Sequence, residues 1–86
     1  MPNSVYVETP DLSSAGALRQ QLLDFDSSLA PLADGRWKVS AEVFSEGHEA
    51  KMEVERILGL VKGWLTAQEI ESATVRLGAK TYVMLQ

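Results

Sequence analysis

The chain has 86 residues, no cysteine, one histidine and a formal charge of −4. That length makes a single domain, residues 1–86. Without thiols the chain has no disulfide, no cysteine-held metal centre and no thiol nucleophile. Eight Lys and Arg against twelve Asp and Glu argue against a nucleic-acid backbone or an anionic membrane as the partner.

Met1-Pro2-Asn3-Ser4-Val5 carries neither the basic nor the apolar part of a secretory signal. No apolar run approaches the ~20 residues of a membrane span, so the expectation is a cytoplasmic domain. Ser4–Glu8 alternates β-branched or aromatic residues with polar ones and predicts a strand. Pro10 ends it, and Asp11, Ser13 or Ser14 can cap a following helix. Ala15, Leu18, Leu22, Phe25 and Leu29 then recur in steps of three and four. This is the stripe of one amphipathic helix that Pro31 stops.

Asp34-Gly35 predicts a tight turn, with Leu32–Ala33 a short piece able to pair across it. Arg36–Val43 follows as a strand with Trp37, Val39, Ala41 and Val43 on its dry face. Residues 48–66 admit two readings. Ala50, Val54, Ile57, Val61 and Trp64 form a helical stripe, whereas Ala50, Met52 and Val54 also alternate as in a strand. The residue types there favour helix throughout. Ala73–Leu77 and Lys80–Leu85 flank Gly78-Ala79 and predict a two-residue hairpin of type II′.

The predicted fold is α+β: two helices on one face of a four-stranded sheet, five-stranded with the extra piece, mixed or antiparallel, in the order β-α-β-α-β-β. A strand at 50–54 would instead give the ferredoxin-like order β-α-β-β-α-β with an additional C-terminal strand.

The last strand is the most informative stretch. With Leu77 opposite Lys80 and Val75 opposite Tyr82, Val83 and Leu85 turn to the side away from Val75. A loop one residue different turns out Tyr82 and Met84 instead. Either way, two apolar or aromatic residues lie on the face that the helices leave open. The candidate interaction residues are Tyr82, Val83, Met84 and Leu85, with Thr74 and Arg76 on the adjoining strand. Met52 and Leu60 form a second, smaller apolar patch on the second helix, on the side of Gly59 and Gly63. Those two glycines are expected to allow close packing on the sheet or the first helix.

Catalytic constellations are missing from the pattern. His48 stands among Glu46 and Glu49, short of the four ligands that structural zinc takes, and reads as a solvated helix-start residue. The pairs Asp24/Asp26, Glu53/Glu55 and Glu69/Glu71 are two apart and do not face each other on a helix. The six glycines match neither a P-loop nor a dinucleotide fingerprint. No cofactor, metal or catalytic residue is expected. The expected function is a non-catalytic interaction module that forms a homodimer, or docks on another protein, through the open sheet face and the C-terminal strand. The alternative is a regulatory domain that binds a small ligand near Thr9–Ser14 and Ser45–His48.

Overall fold

The computed structural model describes residues 3–86. Met1 and Pro2, where the reading for a leader began, lie outside the described residues. The elements are β1 (Asn3–Thr9), α1 (Leu12–Gln21), β2 (Ser28–Pro31), β3 (Trp37–Val43), α2 (Gly47–Ala67), β4 (Ser72–Leu77) and β5 (Lys80–Leu85). This is the predicted order with one further short strand, β2, ahead of β3. The five strands form one sheet in the order β2-β3-β1-β4-β5, and every neighbouring pair is antiparallel. Each helix joins two strands that flank a third, α1 from β1 to β2 on either side of β3 and α2 from β3 to β4 on either side of β1.

Strand alternation decides which face the helices cover. Val5 lies between Ala41 and Leu77, and Val7 between Val39 and Val75. These residues meet Ala15, Leu18 and Leu22 of α1 and Ile57, Val61, Trp64 and Leu65 of α2 in the buried core. Burying apolar area at roughly 25 cal/mol per Å² is the main favourable term. One polar contact fixes the helices to each other: the Trp64 indole Nε1–H donates to the Ser14 carbonyl at 2.9 Å, fully buried.

Asp11 caps α1 by accepting the Ser14 N–H on Oδ1 at 2.7 Å. The predicted single helix to Leu29 is corrected by the structure. It ends at Gln21, a short 3₁₀ turn follows over Leu23–Phe25, and Asp26 takes the left-handed conformation at φ 52°. Phe25 still packs in the core from that turn, and Leu29 packs against it from β2. The helical spacing of the stripe therefore conceals a break. The strand is Ser28–Pro31, and the expected Leu32–Ala33 piece continues it across the turn through the Leu32 N–H on the Arg36 carbonyl (2.8 Å) and the Arg36 N–H on the Ala33 carbonyl (3.4 Å). Asp34 (φ 63°, ψ 28°) and Gly35 (φ 77°) make the tight turn, with the paired positive φ values of a type I′ turn.

Residues 48–66 are helical throughout, within α2, and the strand alternative at 50–54 is not what forms. Glu46 makes no side-chain cap. Glu53, from the second turn, reaches back and accepts the Phe44 N–H (3.2 Å) and the Ser45 hydroxyl (2.8 Å), which ties down the β3–α2 loop. The far end closes with the Ile70 N–H on the Leu65 carbonyl (2.9 Å) and the Glu69 N–H on the Thr66 carbonyl (3.2 Å). This is the Schellman arrangement, with Glu69 left-handed at φ 55° where glycine is usual.

Candidate interaction surface

The helices cover one face of the sheet. The other face presents the even-numbered residues of β1 and β3, together with their neighbours on β2, β4 and β5, by the observed registers. At its centre Tyr6 stands beside Ser40 and Arg76, and Lys38 Nζ lies 4.6 Å from the ring centroid. Glu8 accepts from Arg36 at 3.1 Å and from Arg76 at 3.3 Å. Tyr6, Glu8, Leu32, Lys38 and Arg76 line a hollow of about 360 Å³. Two arginines thus share one carboxylate, with Lys38 beside them over Tyr6, on a chain whose net charge is −4. Of these residues the sequence singled out Arg76 alone, as a neighbour of the last strand. The signal that could have joined them to Glu8 is the even-numbered alternation of β1 and β3.

The β4–β5 hairpin has the predicted register, with Leu77 opposite Lys80 and Val75 opposite Tyr82. Gly78 turns the loop at φ 59°. Tyr82 and Met84 therefore face the helix side, and Val83 and Leu85 share the open face with Thr74 and Arg76. Val83 is 66% exposed and Leu85 68%. The helix layer thins over β5, so Tyr82 is 46% exposed even on the covered side. There Leu58, Val75, Leu77, Tyr82, Val83 and Met84 line an apolar notch of about 380 Å³. Thr74 is half-buried and Arg76 exposed.

The β5 edge can be read group by group. In a two-residue hairpin the flanking pair, here Leu77 and Lys80, exchanges both backbone hydrogen bonds. Gln86 continues that parity, its N–H donating to the Glu71 carbonyl at 2.9 Å. Lys80, Tyr82, Met84 and Gln86 thus spend their backbone groups on the β4 side, while Thr81, Val83 and Leu85 point theirs away from the sheet. No bulge interrupts the register, and Lys80 is the one charged residue of the strand. The opposite edge, β2, is four residues long and carries Pro31. Shortness and proline are the usual protections of an edge, and β5 has neither.

The second-helix candidates separate. Met52 is 52% exposed. Leu60 is half-buried against the core and lines a groove of about 300 Å³ between α1 and α2 with Ala17, Gly59, Gly63 and Trp64. The expected close packing at Gly59 and Gly63 does not occur, since a β-carbon at either would meet nothing within 4 Å. His48 is exposed. Among the described residues no three His, Cys, Asp or Glu side chains gather as metal ligands, and no helix is long and apolar enough to cross a membrane.

In the two loops considered for ligand binding, the Thr9 and Ser45 hydroxyls are engaged internally. Thr9 Oγ1–H donates to the Trp37 carbonyl at 2.9 Å, and Glu53 takes up the Ser45 hydroxyl. Asp11 is held below the usual carboxylate range, chiefly by the hydrogen bond from the Ser14 backbone N–H and then by one from the Ser14 side chain. No family model matches the chain, and no curated protein matches it.

Proposed function

We propose that this chain is a cytoplasmic, non-catalytic interaction module with a ferredoxin-like plan, docking protein partners on the open sheet face and the free edge of β5. The strand order β2-β3-β1-β4, with a helix crossing between each pair of parallel strands, supports the fold reading. The single observation that carries the functional reading is the unguarded edge. Three consecutive outward-facing residues of β5 have unpaired backbone groups, beside two side chains more than half exposed. Edges of this kind recruit a further strand, with main-chain hydrogen bonds supplying affinity and alternate side chains supplying selectivity.

The test compares the wild-type domain with Val83→Lys/Leu85→Lys as affinity baits in cells of the source organism, with copies of the bait counted among the captured chains. Partners retained by the wild type and lost by the variant support the reading. An identical set of captured proteins refutes it.

The hollow over Tyr6 favours a second reading, a domain that binds a small anionic ligand. Its volume lies at the low end of ligand sites, and Lys38 and Arg76 line it. A thermal-shift screen with small anions addresses this, and no stabilisation at saturating concentrations sinks it.

A further inference from the structure

We propose that the partner at the β5 edge is a second copy of this chain, paired antiparallel about a two-fold axis at Val83, so that two five-stranded sheets become one continuous sheet. This rests on the interaction reading above and names its partner.

Hydrogen-bond parity selects the register. A two-fold axis normal to the sheet keeps both helix layers on one side, so outward-pointing residues must oppose outward-pointing residues. With Val83 on the axis, Val83 opposes the partner's Val83, Thr81 opposes the partner's Leu85, and Leu85 opposes the partner's Thr81. Every outward N–H and C=O of Thr81, Val83 and Leu85 then finds a partner. Centring the axis on Tyr82 leaves Leu85 opposite the turn residue Ala79, and centring it on Met84 leaves Thr81 opposite nothing in the strand.

The side chains agree with that register. On the open face, Val83 meets the partner's Val83, and Leu85 meets a threonine methyl. On the helix side, Tyr82 lies beside the partner's Met84, an aromatic–thioether pair, over the notch that Leu58, Val75 and Leu77 line. Charge permits it as well. Residues 80–86 contain no acidic side chain, and Lys80 falls opposite the partner's Gln86. The −4 of each copy is therefore carried away from the seam.

The guarded β2 edge makes the assembly a closed pair, because a β5-to-β2 contact would repeat into a fibre and Pro31 opposes it. A six-residue edge spans about 20 Å. It falls at the small end of specific interfaces, below roughly 1,200 Å² in total, so dissociation in the micromolar range is expected.

The chain contains no cysteine, so single introduced thiols report cleanly. In this register the Val83 α-carbons are about 5.5 Å apart, within disulfide reach. V83C is expected to oxidise to a covalent dimer. T81C alone is not, since its copies lie four residues apart along the strands, roughly 13 Å. T81C mixed with L85C is expected to cross-link.

Sedimentation of the wild type over about 1–500 µM should show a concentration-dependent dimer. Val83→Pro should weaken it at least about tenfold, because the missing N–H is one that faces away from β4. An unchanged circular dichroism spectrum of V83P establishes that it is folded. A wild type that stays monomeric over this range overturns the pairing. So does a dimer that V83P leaves intact, or V83C oxidation no faster than that of a cysteine at exposed Lys62. A monomer whose captured partners still depend on Val83 and Leu85 overturns the pairing alone and leaves the module reading standing.

Discussion

Alanine at both Gly59 and Gly63 is expected to stabilise the domain. Both glycines are exposed within α2, and a β-carbon at either would meet no atom within 4 Å. The substitution therefore adds no overlap in the folded state and removes backbone freedom from the unfolded one. Each is worth about 0.5–1 kcal/mol by helix propensity. The pair lies one helical turn apart, so coupling of a few tenths is expected and the sum comes to about 1–2 kcal/mol. In a domain of this size each kcal/mol moves the midpoint by about 4–8 °C, which predicts a rise of roughly 5–15 °C. Thermal and urea unfolding measure it, and an unchanged m-value would show that the two unfolded states are equally exposed. Unchanged or reduced stability would refute the argument, because it would mean that the groove between α1 and α2 is not open at those positions. A more stable variant that no longer associates would show that the groove receives a partner's backbone.

Three further substitutions test the local architecture. Trp64→Phe removes the buried indole hydrogen bond to the Ser14 carbonyl, which keeps its place in the helical ladder, and is expected to cost about 0.5–1.5 kcal/mol in denaturant unfolding. Glu69→Gly is expected to add about 1 kcal/mol, since glycine adopts the left-handed C′ position freely and the change removes a negative charge from a helix C-terminus. Asp11→Ala should lower the melting temperature near neutral pH. The Asp11 pKa is depressed in the folded state, so its contribution is present above the ordinary carboxylate range and is lost as the pH falls through the folded value. The gap between wild type and D11A should therefore close as the pH is lowered below the ordinary carboxylate range. A gap of constant size would show that the cap does not act through the carboxylate.

The parts of the fold that could be read from sequence are those in which one local rule acts alone. The alternation of Trp37–Val43 specifies β3, and the Gly78-Ala79 loop specifies the hairpin, whose register the structure decides between the two the sequence left open. The helix formers of residues 48–66 likewise outweigh a three-residue alternation. The first helix went wrong because two periods coincide. Ala15, Leu18 and Leu22 lie on α1, Phe25 on a 3₁₀ turn and Leu29 on a strand, yet all reach the same core. The breaker was present as Asp26-Ser27-Ser28. Aspartate tolerates the left-handed region, but on a helical wheel these residues pass for a polar face. The cluster around Tyr6 was hidden for another reason. Its members come from β1, β3 with the residue before it, and β4, and only the strand order brings Glu8 between Arg36 and Arg76.

The place of β1 governs how the molecule is assembled. The first strand in the chain is the middle strand of the sheet, and it alone joins the β2–β3 pair to the β4–β5 pair. Its two partners lie far along the sequence, Ser40 and Arg76 both pairing with Tyr6. The two hairpins close locally, whereas the central strand gains its second partner only when β4 is available. The sheet therefore becomes continuous only after β4 has been made, and the cooperative core forms once both hairpins are present. The same arrangement makes residues 3–9 the natural place to divide the protein. A chain that starts at Pro10 would hold two separate hairpins, and a peptide carrying Val5 and Val7 would be the piece that restores the sheet.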